Sequence, residues 1–159
     1  MRLTRNSVVA LFVAVTAIVA GCNRHEVLYS HYEPIDAEGW NREDGAVFNL
    51  SSVPDSGCYA IETGLRTYST YPFRNLSLVV RIMAVPSGLE RNDTLNVLLA
   101  DEEGNTLGQG VSHYQYNFGL PDMNLQADDS LHIVVTHNMR RLSLPGISDV
   151  GITIKKTEN

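Results

Sequence analysis

Apolar residues in this chain recur at every second position, and that spacing leaves few folds open to it. Leu76, Leu78, Val80, Ile82 and Ala84 alternate with residues that include Ser77, Arg81 and Met83. Tyr59, Ile61, Thr63, Leu65 and Thr67 alternate with Ala60, Glu62, Gly64 and Arg66. The same pattern returns in Leu95, Val97 and Leu99, in Tyr114, Tyr116 and Phe118, in Leu131, Ile133 and Val135, and in Val150, Ile152 and Ile154. Successive side chains of an extended chain point to opposite faces, so each run makes a strand with one apolar face. Turn-forming clusters separate the runs: Pro86-Ser87-Gly88, Asp101 to Asn105, Gly119 to Asp122, and Leu144-Pro145-Gly146. Many short strands with almost no helical periodicity predict an all-β chain, an antiparallel β-sandwich of jelly-roll-like type. The segment from Gly119 to Ser130 is the longest without alternation and is expected to be a mobile or partner-facing loop.

The first residues follow a different logic. Arg2 and Arg5 precede an apolar run of about 14 residues from Ser7 to Ala20, which closes on Val19-Ala20-Gly21-Cys22. A positive start, a short apolar core and small residues before a cysteine have the form of a lipoprotein signal with its lipobox. The run falls short of the roughly 20 residues that span a bilayer. The expected organisation is a cleaved signal peptide over 1–21, a lipid-modified Cys22 with a short tether over 22–26, and one domain over 27–159. The rival readings are an ordinary secretory signal, or a first strand with an unremarkable cysteine.

Lipidation has consequences for the rest of the chain. A thioether-capped Cys22 cannot form a disulfide, which leaves Cys58 as a lone thiol, expected to be buried as a small hydrophobe. Cleavage removes Arg2 and Arg5 and moves the net charge from -6 to about -8. Such an acidic balance argues against nucleic acid and against a polybasic membrane face. Membrane attachment is therefore expected through the lipid on Cys22 alone. Asn23 follows Cys22 where an aspartate would signal retention at the inner membrane, and of acidic residues only Glu26 lies near it. The expected location is the outer membrane, facing the periplasm.

Catalytic signatures are missing from the sequence. The five histidines form no metal pattern, and His132 and His137, five apart, would lie on opposite faces of one strand. The acidic stretch from Asp101 to Asn105, Asp122 and the Asp128-Asp129 pair read as solvated turns rather than calcium ligands. No nucleophile elbow, phosphate loop or dinucleotide fingerprint occurs, so neither enzyme activity, a metal nor a cofactor is expected. Trp40 and Phe48 are read as core anchors, and the Tyr114, Tyr116, Phe118 stripe as core-facing. The competing reading makes Trp40, Tyr114, Tyr116, Phe118 and Arg140 a surface for a partner or ligand. Arg140 and Arg141 are expected to cap a strand end or pair with Asp149. Asp93-Thr94-Leu95 and Asp129-Ser130-Leu131 fit an Asp-hydroxyl-apolar acceptor pattern for O-glycosylation at Thr94 and Ser130; ordinary turn chemistry explains them equally well. Both hydroxyls are expected where strands begin.

The block Tyr71-Pro72-Phe73-Arg74-Asn75-Leu76, followed by Asn138-Met139-Arg140, Leu144-Pro145-Gly146-Ile147 and Asp149-Val150-Gly151-Ile152, resembles the gliding motility-associated GldH lipoprotein family of Bacteroidetes. Gly39-Trp40, leading to Phe48, fits the same resemblance. It implies an exported lipoprotein tied to the machinery of surface gliding and, through it, to type IX secretion. No catalytic residues come with it. Two functions from different classes follow. One is a lipid-anchored assembly or accessory subunit that binds envelope proteins through strand edges or loops. The other is a carbohydrate-binding module-like protein that stacks glycan on its aromatics.

Overall fold

The computed structural model describes residues 26–36 and 38–157; the lipobox, Cys22 and the start of the tether lie outside them. Among the described residues there are twelve strands and no helix. They are β1 (Val27–Pro34), β2 (Trp40–Asn41), β3 (Ala46–Leu50), β4 (Gly57–Tyr68), β5 (Asn75–Val85), β6 (Leu89–Leu98), β7 (Gln109–Gly110), β8 (His113–Gly119), β9 (Met123–Leu125), β10 (Ser130–His137), β11 (Ser143–Leu144) and β12 (Ile147–Lys156). One sheet runs β1-β12-β4-β8-β7, with β9 paired to the start of β4, and the other runs β3-β10-β5-β6. All pairings are antiparallel.

Counting only the eight principal strands in chain order, the sheets read first-eighth-third-sixth and second-seventh-fourth-fifth. That order is a jelly roll: each sheet alternates strands from the two halves of the chain, so every neighbouring pair is distant in sequence except β5 and β6. The alternation sorts as expected. Ile61 and Leu65 of β4, Leu78 and Val80 of β5, Ile133 and Val135 of β10, and Ile152 and Ile154 of β12 are all buried between the sheets. His132 is exposed and His137 buried, on opposite faces of β10.

On the outer face of the first sheet, one row across four strands joins Tyr32, Gly151, Gly64 and Asn117. The Tyr32 ring lies over both glycines, and a Cβ on Gly64 would come within 2.3 Å of its hydroxyl. Glycine weakens a strand unless something packs on it, and here the ring does. The Arg66 guanidinium sits 4.0 Å above the same ring and covers it from solvent.

Two expectations fail. The stretch from Gly119 to Ser130 is ordered by pairing: Leu120 donates its N–H to the Ile61 carbonyl, β9 pairs with β4, and Met123 and Leu125 are buried. Its apolar residues are too few and too bent to show a period, yet they close the sandwich. Cys58 is half-buried rather than buried, because its even position in β4 faces outward, opposite Asn124.

Strand direction divides the loops between two ends. Val27, the 51–56 loop, the β5–β6 turn, the 126–129 turn and the last residues of β12 share one end, which is where the tether joins. The 35–45, 69–74, 99–108, 111–112 and 138–146 segments share the other, about 40 Å away along the twelve residues of β4.

Candidate functional site

The far end is closed by an aromatic plug. Trp40, 2% exposed, pairs with Leu144 across the β2–β11 ribbon and donates its indole N–H to the Asp44 carbonyl at 2.6 Å. His137 packs edge-on against it, ring centroids 5.3 Å apart. Its Nε2 donates to the Trp40 carbonyl at 3.0 Å, and its Nδ1 faces the Met139 N–H. Burial therefore holds His137 below its ordinary pKa, the Trp40 hydrogen bond opposing and the Arg42 charge reinforcing that shift. The Arg42 guanidinium reaches the Met139 carbonyl and ties the 40s loop to the 138–142 loop.

Several of the residues that carry the resemblance, Trp40, Tyr71, Phe73, Met139 and Gly146 among them, are scattered along the sequence and meet here. Gly146 adopts φ 86°, as the Pro145-Gly146 turn requires, and its Cα backs onto the Tyr71 backbone so closely that a Cβ would lie 2.7 Å from the Tyr71 Cα. Tyr68 donates its N–H to the Gly146 carbonyl. Tyr71 and Phe73 then turn their rings edge to face, centroids 5.6 Å apart, with the Tyr71 hydroxyl on the Asn75 carbonyl at 3.1 Å. Burial pushes the Tyr71 phenol well above the usual tyrosine range.

Beside the plug lies a cleft of about 400 Å³ whose rings are Tyr71, Phe73, Tyr114 and Tyr116; Tyr68 borders it, but its ring lies on the outer face of the sheet against His113, centroids 4.9 Å apart. Its far wall is the 99–108 loop, held by a relay of hydrogen bonds. The Gly108 N–H donates to Thr106 Oγ1, Thr106 Oγ1 lies 2.7 Å from the Tyr116 hydroxyl, and that hydroxyl donates to the Leu99 carbonyl at 3.1 Å. Within this loop Asn105 donates to both oxygens of Asp101, and that side-chain hydrogen bond above all holds the Asp101 carboxyl below its usual range. Among the described residues no group of three or more His, Cys, Asp or Glu side chains is placed to hold a metal ion.

The structure separates the residues grouped in the sequence as a ligand surface. Trp40 is a core plug and Tyr116 is 8% exposed, so neither offers an open face. Phe118 stacks on Tyr116 at 6.1 Å, half-buried, because both share the inner register with Leu65 and Thr63. Of the stripe, Tyr114 and Tyr116 line the cleft, and of these two Tyr114 is the half-buried one. Arg140 is exposed at the far end, and the ion pair expected between Arg140 or Arg141 and Asp149 is absent among the described residues; Asp149 lies in register with Arg66 instead. Thr94 is exposed in the middle of β6, not where a strand begins. Ser130 does open β10, and its hydroxyl donates to the Val85 carbonyl at 3.2 Å. Sequence reasoning missed Tyr71 and Phe73 as cleft residues, since they sit between β4 and β5, where alternation carries no information.

The long edge strands are guarded. On β1, His31 and Glu33 lie 2.9 Å apart on the side facing the other sheet. On β6, Arg91 and Asp93 do the same at 2.6 Å, close in distance but off hydrogen-bond geometry, with Arg91 also donating to the Pro121 carbonyl. Charges turned inward on an edge strand oppose the addition of a further strand.

The model of the family described as "GldH lipoprotein" matches residues 27–154. The chain is 26% identical to "Gliding motility lipoprotein GldH" of Flavobacterium johnsoniae, over 97% of this chain and 98% of that one. It is also 26% identical to a "Gliding motility lipoprotein GldH homolog" of Christiangramia forsetii, over 95% and 96%. A family 35 carbohydrate-binding module from Clostridium thermocellum superposes with a TM-score of 0.38 at 16% identity, over 80% of this chain and 89% of that one, too weak a likeness to bear on function.

Proposed function

The chain belongs to the GldH lipoprotein family, and from that premise we propose that it is a non-catalytic accessory subunit of a gliding- and type IX secretion-associated envelope complex, anchored by a lipid on Cys22 in the outer membrane, facing the periplasm. It docks envelope proteins through the end of the sandwich remote from the tether. The observation that carries this reading is exposed apolar surface on three separate loops at that end: Leu107, Leu142 and Val111, the last 90% exposed. Isolated surface hydrophobes are ordinary, and the tether end exposes Val27, Val85 and Leu89, but Val111 and Leu142 are the most exposed large hydrophobes among the described residues and both stand on loops of the far end. The guarded edges of β1 and β6 turn the choice from strand addition to loops.

Pulldown from detergent-solubilised native membranes tests it. The unsubstituted protein recovers a defined set of envelope proteins, and the Val111→Asp, Leu142→Asp double variant loses them while keeping its unfolding midpoint. Recovery of the same set by the double variant would refute docking at this end. Protease treatment of intact cells tests the orientation: the domain survives if it faces the periplasm and is digested if it faces outward.

A further inference from the structure

The cleft beside the plug is unlike the rest of the surface. Charged residues make up 19% of the chain, yet none lines this cleft. A site meant for a phosphate, an acidic glycan or a basic peptide would carry a compensating charge, because an unpaired ion in a half-closed cleft loses hydration without return. The ligand is therefore neutral.

Hydrogen-bond accounting narrows it further. The backbone around the cleft is already used: the Leu99 carbonyl accepts from Leu107 and Tyr116, the Arg74 carbonyl from Leu99 and Ala100, the Tyr68 carbonyl from Tyr71, and the Ser69 N–H donates to Ser112. A peptide laid along the cleft would find few main-chain partners. Side-chain hydroxyls, by contrast, remain. Among the described residues no hydrogen bond engages the hydroxyls of Thr67, Ser69 or Tyr114, and Thr67 is 2% exposed while lining the cleft. Ring faces combined with unclaimed hydroxyls suit a ligand that is itself a ring with an apolar face and a hydroxylated edge. The volume of about 400 Å³ lies within the span of small-ligand sites.

From this geometry we infer that the cleft formed by Tyr71, Phe73, Tyr114 and Tyr116 is a binding site for a neutral saccharide. The site lies at the end already assigned to docking and rests on that end being the working face. It binds by ring stacking on Tyr114 and Phe73 and by hydrogen bonds to the Thr67 and Ser69 hydroxyls.

The test uses the full-length protein in detergent micelles on a printed array of neutral oligosaccharides, ending in mannose, glucose, galactose or N-acetylhexosamine, beside sialylated and sulfated ones. The strongest neutral binder is then titrated calorimetrically. Binding confined to the neutral set, weakened at least tenfold by Tyr114→Ala and by Phe73→Ala, supports the site. Tyr114→Phe keeps the ring and the fold, and is expected to lose only a few-fold. No glycan bound by the folded protein, preference for the anionic set, or binding undiminished in both alanine variants would overturn it. Val111→Asp with Leu142→Asp leaves the cleft intact, so saccharide binding that survives a lost pulldown, or a pulldown that survives lost saccharide binding, shows which of the two readings fails.

Discussion

The two ends of the sandwich are finished by different chemistry. The tether end is closed by backbone hydrogen bonds gathered on one carboxylate. Asp129, fully buried, accepts from the Ser87 and Gln126 amides at 3.0 Å each, while its own carbonyl accepts from Val53. Burial opposes its ionisation, but the two amides outweigh that and hold the carboxyl below its usual range. Lys156 on Asp55 and the Tyr59 hydroxyl on the Asp55 carbonyl tie the adjoining loop to the sheet. The far end is closed by packing, with Trp40 against His137 and Leu144, and it leaves loop tips and hydroxyls unsatisfied. One end meets its own bonding needs; the other keeps capacity for a partner.

That contrast can be broken by substitution. Trp40→Ala is expected to cost the most, about 3–5 kcal/mol, since it empties the plug; chemical denaturation measures it, and a loss below about 1 kcal/mol would mean that the ribbon collapses onto the gap. Asp129→Asn at the other end keeps the shape but removes the charge from two amides. A loss of about 1–3 kcal/mol is expected, read from the same denaturation curves.

The ends should also differ in pH response. A histidine whose folded pKa is depressed binds fewer protons folded than unfolded. Its contribution is thus present above the ordinary value of 6.5 and is lost as pH falls below that value. Protonation would also set an N–H on Nδ1 against the Met139 amide. Unfolding midpoints measured between pH 7.5 and 5 should fall, and the fall should shrink in His137→Gln. Asp129, depressed as a carboxylate, acts only as pH drops below about 3.8. A midpoint flat down to pH 5 would show that His137 is not held neutral by the plug. The smallest expected effect on stability is that of Val111→Asp with Leu142→Asp, within about 0.5 kcal/mol by thermal unfolding, against a full loss of recovered partners.

Much of this was legible along the chain, though unevenly. Alternation placed Leu78, Ile133 and Ile152 on inner faces because a strand's period depends on nothing beyond the strand. It also set Tyr116 and Phe118 inside, against the reading that made them a ligand platform. It failed between Gly119 and Ser130, where three buried residues in a bent segment show no period. Cys58 was misjudged because its burial depends on which face an even position takes. Of the cleft rings, alternation reaches only Tyr114 and Tyr116, because Tyr71 and Phe73 stand between strands.

By itself the sequence determined the strand content, the apolar face of each strand, the lipobox-like start and the family. Each of these is a local pattern or a direct match of residues. Tertiary structure alone decided that the 35–45, 69–74, 99–108 and 138–146 segments share one end, that His31–Glu33 and Arg91–Asp93 guard opposite edges, and that Tyr32 covers two glycines. The reason is the jelly-roll order: nearly every strand neighbours one distant in sequence, so what a loop meets is set by register and topology rather than by anything within it.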